Sequence, residues 1–216
     1  MSPHPSPPRR AAESPEEAIA LLKAGNERFA SGQPNREPVT ARLLELTAGQ
    51  RPFAIVLGCS DSRVPGDTIF DQAPGHLFSV RVAGNFVDDD GLGSIEYGIG
   101  IAAQHVPLIL VKGHSACGAV SATIEYVESG TLQPSYIMNL VRALEPSVRA
   151  ARPLDGGADD RKTAWLDRAI ERNVRDNMNA IAERSPLVAE AVKSKSVAVA
   201  GAVYDLHSGR VRFLSS

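Results

Sequence analysis

The 216-residue sequence has only two cysteines, one tryptophan and no marked excess of charge of either sign, its formal net charge being −2. Two cysteines are too few for the disulfide framework of a small secreted protein. The charge balance does not provide the basic surface that a nucleic-acid partner favours, and no apolar run approaches the roughly 18 residues of a membrane span. The pair Arg9-Arg10 is not followed by the apolar stretch of a signal peptide. We therefore expect a cytoplasmic protein with neither a nucleic-acid nor a membrane partner.

The length of the chain fits a single domain with a substantial core. Residues 1–12 are rich in proline and have no apolar pattern, which is typical of a flexible tail. Ser14, Pro15 and Glu17 then form a capping box, with serine at the N-cap and proline at the first helical position. The sequence therefore predicts a tail over residues 1–13 and one domain over residues 14–216.

Apolar runs rich in β-branched residues alternate with helical patterns along the domain. The runs that we interpret as strands cover residues 53–57, 77–82, 108–111, 196–205 and 211–214. Strands that alternate with helices predict an α/β fold. We expect a central, mostly parallel β-sheet of four strands plus a C-terminal edge strand, flanked by helices, with an N-terminal helical arm. One flanking helix is expected to begin at an N-cap, Ser115, and to run through Glu128.

Both cysteines lie just beyond predicted strands. Cys59 follows the first strand, and His114 and Cys117 follow the third. In open α/β sheets, ligands bind at the carboxyl ends of the strands. Two thiolates and an imidazole suit zinc, and a catalytic zinc keeps its fourth position open. The cysteines are far apart in sequence, so only neighbouring strands in the sheet can bring them together. The pattern predicts a zinc enzyme.

Asp61 and Arg63 lie close to the first cysteine and can face the same way in a turn. An arginine fork on a carboxylate is a strong, orienting pair. A single buried cysteine is more often a small apolar residue than a ligand. The combination of two cysteines, His114 and the Asp61–Arg63 pair favours a functional site over that simpler interpretation.

The patterns Cys59-x-Asp61-x-Arg63 and His114-x-x-Cys117 resemble those of the β-class carbonic anhydrases of bacteria. Further similar segments cover residues 22–29, 81–85, 94–97 and 201–205, so the resemblance extends over nearly the whole chain. It implies that zinc is bound by Cys59, His114 and Cys117. It also implies that Asp61 and Arg63 form the dyad that controls the fourth coordination position, with Asp61 as the fourth ligand in an inactive state.

The resemblance implies a substrate pocket and an assembly as well. Gln50, Phe78, Tyr97 and Gly118 match substrate-binding positions of the family, and Phe78 and Tyr97 would reach the pocket across a dimer interface. Members of the family are homodimers, often paired into homotetramers, whose N-terminal helices pack on the neighbouring subunit. Some members carry a second, inhibitory bicarbonate site. Arg81 and Tyr204 match two of its positions, but Val56 replaces its tryptophan, so we expect no such site.

The activity implied by the resemblance is that of a zinc lyase, the reversible hydration of carbon dioxide to bicarbonate and a proton through zinc-bound hydroxide. Two thiolates should make the zinc a weaker Lewis acid than three imidazoles would, so we expect activity to rise with pH. Two alternatives remain open: zinc-dependent hydrolysis of a carbon dioxide analogue such as carbon disulfide, and a non-catalytic zinc-binding scaffold. The presence of Asp61, Arg63 and Gln50 argues against the scaffold, because a structural zinc site needs none of them.

Overall fold

The computed structural model of the chain describes residues 11–35, 40, 43–102, 106–153 and 159–215. Its strands are β1 (Ala54–Gly58), β2 (Leu77–Arg81), β3 (Leu108–His114), β4 (Ala198–Tyr204) and β5 (Val211–Phe213). Its α-helices are α1 (Pro15–Ala30), α2 (Leu43–Leu46), α3 (Gly66–Ile69), α4 (Asp89–Tyr97), α5 (Gly118–Ser129), α6 (Ile137–Ala150), α7 (Asp159–Arg184) and α8 (Pro186–Lys193). A π-helical turn, Gly98–Ala102, continues α4. None of the described helices combines the length and the apolar character needed to cross a membrane.

The five strands form one sheet in the order β2-β1-β3-β4-β5. The first four strands of that order run parallel, and β5 pairs antiparallel with β4. The predicted fold class is therefore confirmed, including the C-terminal edge strand. β1 and β3 are direct neighbours, with Gly58 opposite Lys112. Because parallel strands end at the same edge, Cys59 and His114 emerge side by side.

Both faces of the sheet are covered, which explains why β1 and β3 are continuously apolar. Ile55 and Leu57 point to one face and pack in a cluster that includes Val174 of α7. Val56 points to the other face, in a cluster with Leu22 of α1. The central strands are thus buried from both sides, and their carboxyl ends hold in place the segments that carry Cys59 and Cys117.

Helix α1 begins as the capping box predicts. The Ser14 side chain accepts a hydrogen bond from the backbone N–H of Glu17, and Pro15 is the first helical residue. The helix packs on its own sheet, where Ala18 and Leu22 are fully buried. Most of the predicted tail lies outside the described residues, but Ala12 is buried in the same cluster as Leu22.

The predicted start of the helix after β3 is wrong. Helix α5 begins at Gly118, and its N-cap is Cys117, whose side chain makes no capping hydrogen bond. The reason is Ala116, whose φ of 52° lies in the left-handed region and prevents the helix from beginning earlier. The Ser115 hydroxyl instead bonds to the hairpin between β4 and β5.

Candidate metal centre

The ligand-bearing segments are two turns at the carboxyl edge of the sheet. Cys59 follows the last residue of β1, and the turn after it is held by the Arg81 guanidinium, whose Nε donates to the Cys59 carbonyl at 3.0 Å and whose Nη2 donates to the Asp61 carbonyl at 2.7 Å. His114 is the last residue of β3. Two residues of irregular backbone separate it from Cys117, which stands at the N-terminus of α5.

These turns bring the three predicted ligands together. One side-chain ligand atom from each of Cys59, His114 and Cys117 lies within 4.8 Å of the other two, although the cysteines are remote in sequence. The residues are 4%, 0% and 1% exposed, respectively. The sheet therefore assembles a closely spaced, buried set of two sulfur atoms and one nitrogen.

The imidazole of His114 is oriented by the backbone of the next residue, Ser115. Its Nδ1 lies 2.9 Å from the Ser115 carbonyl, which can only accept a hydrogen bond, so Nδ1 carries the proton. Nε2 then presents a lone pair. Among the described residues, Nε2 is one of two buried side-chain polar atoms without a hydrogen-bond partner, the other being Nδ2 of Asn85. A buried imidazole nitrogen left unpaired beside two sulfurs is arranged as a metal ligand is.

The two cysteine thiols shift each other's pKa values, as expected for sulfur atoms in close contact. The neighbouring Cys117 thiol lowers the pKa of Cys59 by hydrogen bonding to its sulfur, although burial opposes the shift. The adjacent His114 imidazole and the backbone N–H groups of Gly84 and Asp61 lower it further. The pKa of Cys117 is raised, because its thiol donates that hydrogen bond and is buried. The two thiols thus share a hydrogen bond, and a cation that binds both sulfurs must displace the protons that they carry.

Asp61 and Arg63 form the predicted pair beside this cluster. The guanidinium binds the carboxylate with two hydrogen bonds, Nε to Oδ1 at 2.9 Å and Nη2 to Oδ2 at 2.6 Å. The backbone N–H of Arg63 also donates to Oδ1 at 2.9 Å. Oδ2 of Asp61 is 4.0 Å from Nε2 of His114. The structure therefore holds Asp61 on Arg63, next to the unpaired nitrogen.

The pairing determines the charge state of Asp61. The hydrogen bonds from Arg63 hold the pKa of the carboxyl group well below its usual range, although partial burial opposes that shift. The side chain of Asp61 is 18% exposed and that of Arg63 is 53% exposed, so the pair lies at the mouth of the site. Asp61 is an ionised hydrogen-bond acceptor at any pH near neutral.

The sequence pattern did not identify Lys112, a buried lysine of β3 next to the site. Lys112 is 1% exposed, and its Nζ donates to the Val64 carbonyl at 3.0 Å and lies 5.8 Å from the centroid of the Tyr204 ring. Burial lowers its pKa to about 8, with a further contribution from Arg81. The signal was a lysine at an inward position of an otherwise apolar strand. Together, Arg81 and Lys112 hold the carbonyls of the segment that carries Asp61 and Arg63.

The predicted substrate-binding residues are not all at the metal centre. Gly118 is exposed at the start of α5, directly after Cys117, and a Cβ atom there would meet nothing within 4 Å. Gln50 is exposed in the segment before β1. Phe78 lies near the amino end of β2, and its ring is 6.4 Å from that of Tyr97, which is 49% exposed. Since the ligands lie at the carboxyl edge, Phe78 and Tyr97 are at the opposite end of the edge strand.

The residues that match the inhibitory bicarbonate site have other partners here. Val56 is buried in the core, and the Arg81 guanidinium is bound to the carbonyls of Cys59 and Asp61. The Tyr204 ring faces the Lys112 ammonium. The Arg81 guanidinium is therefore already engaged with backbone carbonyls.

Zinc fits this set of donors. Zinc takes sulfur and imidazole nitrogen in four-coordinate sites, and three protein ligands leave one position for water or substrate. The unpaired Nε2 of His114 and the close, buried pair of sulfurs are the features expected of such ligands. Cys59, His114 and Cys117 would hold the ion, and Asp61 and Arg63 would face the remaining position.

Fold and site together define an α/β protein with a Cys-His-Cys cluster suited to a metal ion at the carboxyl edge of a parallel sheet. The family model for carbonic anhydrase matches residues 54–211. Over 198 residues, 91% of each chain, the sequence is 38% identical to carbonic anhydrase 2 of Mycobacterium tuberculosis. The chain belongs to the β-class carbonic anhydrase family.

Solved structures agree with this assignment. The fold is similar to that of a tetrameric β-carbonic anhydrase from Sordaria macrospora, with a TM-score of 0.71 and 26% identity over 92% of this chain and 96% of that one. It is also similar to the Coccomyxa β-carbonic anhydrase in complex with acetazolamide, with a TM-score of 0.68 and 27% identity over 90% of this chain and 85% of that one.

Proposed function

We propose that this protein catalyses the reversible hydration of carbon dioxide to bicarbonate and a proton, with zinc held by Cys59, His114 and Cys117. The observation that carries the proposal is the unpaired, buried Nε2 of His114, which lies 4.0 Å from an Asp61 carboxylate oxygen on an imidazole grouped within 4.8 Å of the Cys59 and Cys117 sulfurs. A structural zinc site would be closed by a fourth protein ligand. Here the fourth neighbour is a carboxylate held away by Arg63.

Zinc, when bound, supplies a Lewis acid that lowers the pKa of water and makes it a nucleophile near neutral pH. The chain supplies the surroundings of that water. Asp61 is kept ionised by Arg63, so its Oδ2 can accept a hydrogen bond from a nucleophile at the open position and orient it toward substrate. Arg63 fixes the orientation of the Asp61 carboxylate through bidentate hydrogen bonding.

The ligands themselves are prepared for the ion by the protein. Gly84 and Asp61 donate backbone N–H groups to the Cys59 sulfur at 3.2 Å and 3.5 Å, which favours the thiolate. His114 keeps its proton on Nδ1. The proposed inactive state, in which Asp61 itself becomes the fourth ligand, requires the carboxylate to leave Arg63. It should be favoured at low pH, where hydroxide competes least.

The first test is stopped-flow hydration of carbon dioxide across pH 6.5 to 9, on protein whose zinc content has been determined. We expect fast turnover that rises with pH and is blocked by a sulfonamide; acetazolamide is a suitable choice, because it is found bound to the Coccomyxa relative. Stoichiometric zinc without hydration at any pH would refute the proposal. Carbon disulfide hydrolysis by the same preparation would then favour the analogue reaction. If the preparation catalysed neither reaction, a non-catalytic zinc-binding scaffold would be favoured.

We further propose that the chain acts as a homo-oligomer whose subunits complete each other's substrate pockets. Phe78 and Tyr97 form an aromatic pair on the outer strand β2 and helix α4, and half of Tyr97 is exposed. The Sordaria macrospora relative is tetrameric. If a second subunit covers this face, Phe78 and Tyr97 of one subunit can contact the metal centre of the other, although they are remote from the metal centre of their own chain.

Complementation between two inactive variants tests shared pockets. In a co-expressed heterodimer of His114→Ala and Tyr97→Ala, one of the two sites would combine intact ligands with an intact Tyr97 from the other chain. We expect that site to regain wild-type turnover, whereas each homo-oligomer stays impaired. A heterodimer whose turnover per functional metal centre equals that of Tyr97→Ala alone would show that Tyr97 serves its own chain.

We also propose a cytoplasmic location, which cell fractionation would test.

A further inference from the structure

Ser115 connects the metal ligand His114 to a hairpin at the other end of the chain. Its carbonyl accepts the Nδ1–H of His114 at 2.9 Å. Its backbone N–H donates to the carbonyl of Tyr204 at 2.8 Å. Its hydroxyl accepts from the backbone N–H of Leu206 at 2.9 Å and donates to Oδ1 of Asp205 at 3.2 Å. The group that orients the imidazole is thus itself fixed by three hydrogen bonds to residues about 90 positions away.

Asp205 makes the hairpin a rigid anchor. Besides the Ser115 hydroxyl, its carboxylate accepts from the Ser208 hydroxyl at 2.6 Å and from the backbone N–H groups of Ser208 and His207 at 3.0 Å and 3.2 Å. Its own backbone N–H donates to the Arg210 carbonyl, which closes the turn between β4 and β5. These donors, led by the Ser208 hydroxyl, lower the pKa of the Asp205 carboxyl group.

The hydrogen bonds to the hairpin constrain the irregular segment between β3 and α5. Between the end of β3 and the start of α5 the chain leaves regular secondary structure, and Ala116 adopts a left-handed conformation. A free turn there would let the Ser115 carbonyl rotate and would release Nδ1–H. The imidazole would then lose the hydrogen bond that fixes its tautomer and its ring orientation beside the two sulfurs.

We propose that Ser115 and Asp205 are positioning residues for the metal, because the β4–β5 hairpin holds the Ser115 carbonyl where it fixes the tautomer and orientation of His114. The inference rests on the proposed zinc centre but not on the reaction carried out there. Groups that hold a metal-bound histidine in this way typically contribute about 10- to 100-fold to metal affinity. Ser115 was predicted to cap a helix, and neither residue was among the predicted site residues.

The test is the zinc affinity of Ser115→Ala, measured by competition with a chromophoric chelator. We expect affinity about tenfold or more below that of the wild type, since the backbone bond to Tyr204 survives while the hydroxyl bonds are lost. Ser115→Thr, which keeps the hydroxyl, should restore the affinity. Asp205→Ala should weaken binding similarly, and the double variant should lose less than the two single losses combined, because both act through one link.

A matched control is available in Ser147→Ala. Ser147 is buried and its hydroxyl donates to Oδ2 of Asp176 at 2.6 Å, so it is also a serine–aspartate link between two elements, α6 and α7. Its removal should lower stability but leave zinc affinity within about threefold of the wild type, as expected for a site that it does not contact. A second readout is the absorption spectrum of the cobalt-substituted protein, which should change in Ser115→Ala and not in Ser147→Ala.

The outcomes separate this inference from the proposed function. If Ser115→Ala binds zinc as tightly as the wild type, with an unchanged cobalt spectrum, the positioning role is refuted while the carbonic anhydrase proposal stands. Equal losses in Ser115→Ala and Ser147→Ala would also refute it, because they would reflect stability alone. A wild-type protein that binds no zinc would refute both proposals.

Discussion

Replacing Asp61 by asparagine removes the charge beside the metal centre and keeps the shape of the side chain. In the structure, Arg63 donates to Oδ1 from Nε and from its backbone N–H, and to Oδ2 from Nη2 at 2.6 Å. An asparagine keeps one oxygen, which can still accept at the Oδ1 position. Its NH2 group would then face Nη2, so a hydrogen bond becomes a contact between two donors. The substituted side chain must rotate or lose the second contact.

The expected loss can be worked from these contacts. A hydrogen bond to a charged group contributes about 1.5–3 kcal/mol, which corresponds to roughly 10- to 150-fold in rate if it serves only to orient the nucleophile. Loss of the ionised acceptor adds to this, since a positioned proton acceptor typically contributes about 10²-fold or more. We therefore expect kcat/KM of Asp61→Asn to fall by at least about 100-fold. Zinc content should stay stoichiometric, because the three ligands are untouched.

The assay is stopped-flow hydration at several pH values, on protein with measured zinc. Because Arg63 keeps the pKa of Asp61 far below neutral, the carboxylate does not titrate in the working range. The variant should therefore be slower than the wild type at every pH in that range, and not only on one limb of the pH–rate profile. Glu145→Gln is the control, since Glu145 pairs with Arg149 at 2.7 Å on the surface of α6. Turnover within threefold of the wild type in Asp61→Asn would refute the assigned role.

Three further predictions follow from other parts of the structure. A Cβ atom at Gly25 would lie 1.8 Å from the Phe70 carbonyl oxygen, so Gly25→Ala should lower the free energy of unfolding by at least about 2 kcal/mol. Gly93→Ala, where a Cβ meets nothing within 4 Å, should raise it by about 0.5–1 kcal/mol in the same denaturant titration, and shifts of the same sign would contradict the packing. Burial lowers the pKa of Lys112 to about 8, so between that pH and its unfolded value of 10.5 the unfolded chain binds more protons and stability rises with pH. The stability of the wild type relative to Lys112→Met, measured with chelator present, should increase by up to about 3 kcal/mol across that window, and a constant difference would show that the lysine is not penalised by burial. Zinc at 100 to 1,000 times its dissociation constant should stabilise the chelator-treated protein by about 3–4 kcal/mol, seen as a higher unfolding temperature; no change would show that the folded chain does not bind zinc in preference to the unfolded chain, against a preformed Cys-His-Cys site.

Much of the architecture could be predicted because it depends on local chemistry. The apolar runs of β1 and β3 identify buried strands, and the capping box at Ser14 and Pro15 marks the start of α1. The proposed metal ligands were recognisable because cysteine and histidine are rare in this chain and these three lie at or just beyond the ends of strands. The start of α5 was predicted wrongly, because a serine can cap a helix or bond elsewhere. Here Ala116 is left-handed, and the Ser115 hydroxyl bonds to Asp205 and Leu206.

The residue types, their spacing and the positions of turns are properties of short segments, so reading the chain locally was enough to propose zinc, its three ligands and the Asp61–Arg63 pair. Pairing of β1 with β3 was needed to bring Cys59 within reach of His114 and Cys117. The same long-range packing buries Lys112 under the turn. It also joins Ser115 to Asp205. Such contacts depend on strand order and register, which arise from the combined burial of both sheet faces, and no single segment encodes them.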